Sequence, residues 1–104
     1  MESKQRRAPR VNKLFLAAYV NREGEEQKTP VLLGKTFNIS SVGLGMEVYQ
    51  EIAPGSIMEM EIDLLDSLLD VTGRVIHVNR IEDDRYLIGV EFSEPQEQLA
   101  GFTS

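Results

Sequence analysis

The chain has no cysteine, no tryptophan and a single histidine in 104 residues. Without cysteine there are no disulfides, no thiolate metal ligands and no cysteine nucleophile, which agrees with the reducing cytoplasm as the expected location. One histidine cannot form an H-x-x-x-H metal motif, and nothing in the sequence indicates a pocket around carboxylate pairs such as Glu59 and Glu61. The sequence therefore predicts that the protein is not an enzyme and holds no metal and no cofactor.

Long apolar runs are also absent, and no stretch reaches the roughly 20 residues that span a bilayer. The apolar stretch after the first arginines is interrupted by Asn12 and Lys13, and Ala17 and Ala18 lead into Tyr19 rather than into a cleavage site. We therefore expect neither membrane insertion nor a signal peptide. A chain of 104 residues, 41% of them hydrophobic, is long enough for one domain with one core.

Basic residues are few and are concentrated at one end. Eleven basic residues against 17 acidic ones give a net charge of −6, which argues against binding to a nucleic acid polymer. Residues 44–70 contain no lysine or arginine, whereas residues 1–13 contain Lys4, Arg6, Arg7, Arg10 and Lys13. We predict a flexible basic arm at residues 1–10, followed by an acidic domain at residues 11–104. A solvated tail that returns to its own acidic face is the alternative for the arm.

The dominant hydrophobic period is two, which is typical of half-buried strands. Met58–Leu64 alternates most clearly, whereas Leu64–Leu69 is either a bulged strand end or a short helical turn. Ser93, Pro95 and Gln96 favour a short helix near the end. Because closure removes exposed edges, we predict a mainly β fold, a six-stranded antiparallel β-barrel with a short C-terminal helix. Its predicted strands cover residues 11–20, 31–37, 44–49, 58–64, 71–81 and 86–92.

Two short motifs fall at the rim of this predicted barrel. The first is R-x-x-x-R, at Arg6 and Arg10, whose guanidinium groups suit phosphates and base faces. The second is N-x-S-x-x-G, at Asn38, Ser40 and Gly43, in the turn after the second strand. It offers an amide, a hydroxyl and a close backbone approach to the edge of a base. A solvated arm and an ordinary turn held by side-chain hydrogen bonds are the structural alternatives.

In this order and on this strand pattern, the two motifs resemble the PilZ domain, a family of bacterial cyclic di-GMP receptors built as a six-stranded β-barrel with a helix. The resemblance covers nearly the whole chain, and Gly89–Phe92 looks like the closing strand of the family. It implies a stand-alone receptor whose arm becomes ordered over the ligand and passes the signal to an unidentified downstream protein. The ligand-binding residues that it implies are Arg6, Arg7, Arg10, Asn38, Ser40 and Gly43.

Two other functions stay open. A PilZ-like adaptor without nucleotide binding would act through protein contacts in motility or pilus assembly, and Asn38 leaves room for it because the family often has aspartate there. A barrel that binds single-stranded nucleic acid is disfavoured by the acidic body and the lack of tryptophan. His77 is interpreted as a rim or surface residue and is left out of the site. The acidic stretch is interpreted as a solvated face or as a dock for a basic partner.

Overall fold

Six antiparallel strands close into a barrel in the computed structural model of the chain. The structure describes residues 15–23, 26–64 and 67–102, so the predicted arm and its arginines lie outside the described residues. The strands are β1 (Phe15–Glu23), β2 (Glu26–Gln27), β3 (Leu32–Ile39), β4 (Gly43–Val48), β5 (Ile57–Asp63), β6 (Leu68–Glu82) and β7 (Arg85–Phe92). A 3₁₀ helix follows at Glu97–Phe102.

The ring runs in the order β1–β3–β4–β7–β6–β5, and β5 closes it by pairing with β1. Ala17 shows the closure, since it pairs with Gly34 of β3 on one side and with Ile62 of β5 on the other. The two-residue β2 pairs with β1 outside the ring. The predicted mainly β fold and antiparallel barrel are confirmed.

The core follows the period-two pattern of the sequence. In β5 the side chains of Met58, Met60 and Ile62 are buried, whereas Glu59 and Glu61 point to solvent. Successive strand side chains point to opposite faces, so apolar residues that alternate with charged ones face the interior of the barrel. Burial of the apolar set supplies the main stabilisation, at about 25 cal/mol per Å² of apolar surface removed from water.

Three local features sharpen the sequence prediction. Gly55 adopts φ of 91° after Pro54, as the third residue of a type II turn requires. The ambiguous Leu64–Leu69 segment contains the start of β6 at Leu68. The predicted C-terminal helix is a 3₁₀ helix, and its Leu99 side chain is fully buried in the core.

Candidate ligand-binding groove

A β-bulge in β3 turns Asn38 to the outside of the barrel. The pairing of β3 with β4 shifts at Phe37, between Thr36 and Asn38. Thr36 and Ile39, on either side of the bulge, are buried, whereas Asn38 lines a groove on the outer surface. The predicted second strand ended at Phe37, but the bulge lets β3 continue to Ile39. Asn38 and Ile39 therefore belong to the strand and not to the turn that follows it.

A second bulge places His77 on the same outer surface. The pairing of β6 with β7 shifts between Val75 and His77, so Ile76 is the extra residue. Val75 is buried and His77 is exposed. With strict alternation the histidine would share the inward face with Val75. The sequence predicts His77 as a rim or surface residue outside the site. Its ring is on the outer surface, and it lines the same groove as Asn38.

Two glycines form the floor between these bulges. Gly45 of β4 and Gly89 of β7 are direct partners in the register of the sheet. A Cβ at position 45 would lie 2.8 Å from Cζ of Phe37, and a Cβ at position 89 would lie 2.8 Å from Cδ2 and Cε1 of His77. Each ring therefore packs directly on glycine backbone, in space that any side chain would occupy. The groove that remains has a volume of about 440 Å³.

Ser40 organises the turn between β3 and β4. Its hydroxyl accepts hydrogen bonds from the amides of Val42 and Gly43, each at 3.2 Å, and donates one to the Gly43 carbonyl at 3.2 Å. The Ser40 amide donates to the same carbonyl at 2.9 Å. The side chain thus satisfies the backbone of the turn and fixes its position at the edge of the groove.

Gly43 is required by the close approach of two strands. A Cβ at this position would collide with the carbonyl oxygen of Val90, a backbone atom of β7. The turn is also tied to the end of the chain, because the Val42 carbonyl accepts from the Phe92 amide at 2.9 Å and the Ser41 carbonyl accepts from the Gln96 amide at 2.7 Å. These bonds hold the motif in one position on the barrel.

The chain enters β1 beside this groove. Phe15 pairs with Thr36, and the Thr36 hydroxyl accepts from the Phe15 amide and donates to the Phe15 carbonyl, both at 3.3 Å. Thr36 lies two residues before Asn38. Arg10 precedes Phe15 by five residues, and five residues of fully extended chain span about 18 Å. The residues before Phe15 therefore join the described barrel at the position that pairs with Thr36.

The carboxylate of Glu47, on β4 beyond the groove, forms an ion pair. Glu47 follows Gly45 on the outer face, and its Oε2 accepts from Nε of Arg85 at 2.8 Å. This hydrogen bond, aided by the positive charge of Arg85, holds the pKa of Glu47 below its ordinary value and raises the pKa of Arg85. Glu91 lines the groove as an exposed carboxylate. In the described part of the chain, the groove is lined by this carboxylate and by no lysine or arginine.

The groove brings together the three described residues of the predicted site, Asn38, Ser40 and Gly43, and adds ring faces that the prediction did not include. A side-chain amide and two rings beside a fixed turn and two glycines are chemistry for holding a planar, polar ligand. Among residues 15–23, 26–64 and 67–102, no group of three histidine or acidic side chains is placed to hold a metal ion. No helix in the described part of the chain is long and apolar enough to cross a membrane.

The family model of the PilZ domain matches residues 4–101, a range that contains both sequence motifs. The chain belongs to the PilZ domain family. PilZ domains are a known cyclic di-GMP-binding family, and they serve as receptors and adaptors rather than as enzymes. No curated protein matches the chain.

Proposed function

We propose that this protein is a single-domain receptor for cyclic di-GMP that acts in the bacterial cytoplasm and passes the signal to a partner protein. The observation that carries the proposal is the groove itself. It brings Asn38, Ser40 and Gly43 together on the outer surface of a barrel that belongs to a cyclic di-GMP-binding family. The proposal does not include catalysis.

In this proposal the groove and the arm divide the ligand between them. The Asn38 amide meets the edge of a guanine beside the turn that Ser40 holds, and the rings of Phe37 and His77 border its faces. The two phosphates call for cationic partners, which Arg6, Arg7 and Arg10 supply as planar donors. Well-formed hydrogen bonds to charged groups contribute about 1.5–3 kcal/mol each, so two or three of them account for much of a micromolar affinity.

The proposed signal is the ordering of the N-terminal arm. β1 begins at Phe15, paired to the residue two positions before Asn38, so a ligand held at Asn38 lies near the root of the arm. Arginines that bind its phosphates would fix residues 1–10 against the turn at residues 40–43. The surface so formed would exist only in the bound state, and a partner protein would bind to it.

The experiment is titration calorimetry of the full chain with cyclic di-GMP, with cyclic di-AMP and GTP as controls. The proposal expects selective binding at micromolar affinity or better, and the stoichiometry gives the number of ligand molecules in the site. Cyclic di-AMP has the same phosphates but different base edges, so equal binding of both dinucleotides would contradict base recognition by the groove. No heat together with an unchanged melting temperature would favour a PilZ-like adaptor that acts through protein contacts alone.

A further inference from the structure

A second groove, of about 410 Å³, lies on the outer surface of β1, β5 and β6. Its floor consists of short side chains, chiefly Ala18 of β1 and Thr72 of β6. Its acidic residues are Glu59 and Glu61 of β5 and Asp70 of β6. We name it the acidic groove. It shares no lining residue with the groove at Asn38, although β6 borders both.

The charges of the acidic groove are only partly neutralised. Glu59 forms an ion pair with Arg22, at 3.4 Å from Oε2 to Nε. Glu61 and Asp70 are exposed and directly opposite each other in the register of β5 and β6. Neither has an ion-pair partner within the described ranges. Like charges opposite each other on neighbouring strands are destabilising, so this pair costs stability in the isolated protein and is relieved by an added cation.

Apolar side chains border these carboxylates. Val31, which lines the groove, is 66% exposed, and Leu33, the partner of Ala18 in the register of β1 and β3, is 63% exposed. Leu16, two residues before Ala18 on the same face, is 56% exposed. Scattered single apolar residues are ordinary on a surface, but these three lie together beside a groove. An occupant that covers them removes apolar surface from water.

We propose that the acidic groove is a docking surface for a segment of a partner protein that carries lysine or arginine next to apolar side chains. The cations bind Glu61 and Asp70, whose repulsion they relieve, while the apolar side chains pack on Leu33, Val31 and the floor at Ala18. Charge complementarity selects this partner, since a segment with acidic side chains or a nucleic acid is repelled by the same carboxylates. Because the two grooves share no lining residue, the proposal stands whether or not the protein binds cyclic di-GMP.

The test uses the full chain, labelled with ¹⁵N, and a synthetic peptide of Leu-Lys-Ser repeats as the probe. Chemical-shift changes are expected at the amides around Ala18, Val31, Glu61 and Asp70. Two control peptides separate the contributions: Leu-Glu-Ser repeats keep the apolar residues and reverse the charge, and Ser-Lys-Ser repeats keep the charge and remove the apolar residues. Both controls should bind at least about tenfold more weakly.

Matched variants locate the binding. E61Q/D70N removes the two charges of the acidic groove that have no ion-pair partner in the described part of the chain. It should weaken binding of the Leu-Lys-Ser peptide by about tenfold or more, as the loss of two charge-assisted contacts requires. The same variant should unfold at a higher temperature than the wild type without the peptide, because a repulsion is gone. E51Q/E94Q reduces the net negative charge by the same amount at two exposed positions outside both grooves, and should change neither property.

Three results would overturn the proposal. Equal weakening by E61Q/D70N and E51Q/E94Q would show attraction to net charge rather than to a site. Shift changes centred on residues 38–43 would assign the peptide to the other groove. Peptide binding that appears only when Arg6, Arg7 and Arg10 are changed together to glutamine would show that the arm of the chain itself, and not a partner, occupies the acidic groove.

Discussion

Gly45 of β4 and Gly89 of β7 are direct partners in the sheet, and each is covered by a side-chain ring from the strand on its other side. Phe37 covers Gly45 from β3, and His77 covers Gly89 from β6. Phe37 is the extra residue of the bulge in β3, and the bulge in β6 turns His77 to the same outer surface. The groove at Asn38 therefore depends on four positions in four adjacent strands, and its glycines can be tested separately from its motif.

A methyl group on the floor should affect binding more than folding. In Gly89→Ala the new Cβ meets the His77 ring, a side chain that can rotate away, so we expect a cost of about 1 kcal/mol or less in unfolding free energy. The displaced ring should weaken cyclic di-GMP binding by about tenfold. Gly43→Ala is the contrasting variant, because its Cβ meets the Val90 carbonyl of the backbone, and about 1–3 kcal/mol should be lost. Urea unfolding and calorimetry measure both quantities. A Gly89→Ala protein that binds like the wild type would contradict a ligand site on this floor.

Ser40→Ala should loosen the turn between β3 and β4. The change removes the acceptor of the Val42 and Gly43 amides, and we expect a loss of about 0.5–1.5 kcal/mol in unfolding free energy, since the turn is partly open to water. Ser41→Ala is the matched control, because the described contact of Ser41 is made by its backbone carbonyl. Urea denaturation of the two variants side by side makes the comparison. Equal stability of the two would mean that the Ser40 hydroxyl does not hold the turn.

Arg10→Ala should weaken cyclic di-GMP binding by about tenfold to a hundredfold, the equivalent of one hydrogen bond to a charged group. Lys28→Ala removes the same charge from the hairpin at β2, where Lys28 pairs with Glu23 and Glu26, and should leave the affinity unchanged. Calorimetry with both variants at one salt concentration separates a specific contact from general attraction. If Arg10→Ala binds as tightly as the wild type, the R-x-x-x-R motif is not part of the site.

Glu47→Gln should make the folding stability less dependent on pH in the acid range. The ion pair with Arg85 lowers the pKa of Glu47 in the folded state, so its stabilisation is complete above the ordinary value of 4.5 and is lost as the pH falls below it. Without the carboxylate this part of the pH dependence disappears. The control is Glu94→Gln, which changes an exposed carboxylate with no ion pair in the described part of the chain and should keep the wild-type profile. The measurement is the melting temperature of each protein from about pH 3 to about pH 6. A wild-type profile in Glu47→Gln would rule out the pair as a source of acid sensitivity.

The barrel could be predicted from the sequence because its strands keep the period of two that a half-buried sheet imposes. Met58, Met60 and Ile62 are all buried, as their alternation with acidic residues required. Strand ends were less predictable where the period breaks. The second strand is predicted to end at position 37 but continues to Ile39, because the bulge at Phe37 interrupts the alternation that marks a strand.

The candidate site was predictable only through its motif. Asn38, Ser40 and Gly43 are close in sequence, so the end of β3 and the turn after it bring them together. His77 comes to the groove through the pairing of β6 with β7 and through a bulge, and a single sequence records neither. A glycine opposite a glycine, at positions 45 and 89, was the available sequence signal, but it becomes visible only when the register is known. The roles of Arg6, Arg7 and Arg10 stay predictions, since these residues lie outside the described part.

The most direct measurement is a titration of the ¹⁵N-labelled full chain with cyclic di-GMP, followed by chemical-shift mapping. The account predicts that the largest changes occur at the amides of Asn38, Val42, Gly43 and Gly89, with the amides of Glu61 and Asp70 in the acidic groove unaffected. A titration that shifts none of the first four amides, or that shifts those of the acidic groove instead, would contradict the assignment of the ligand to this surface.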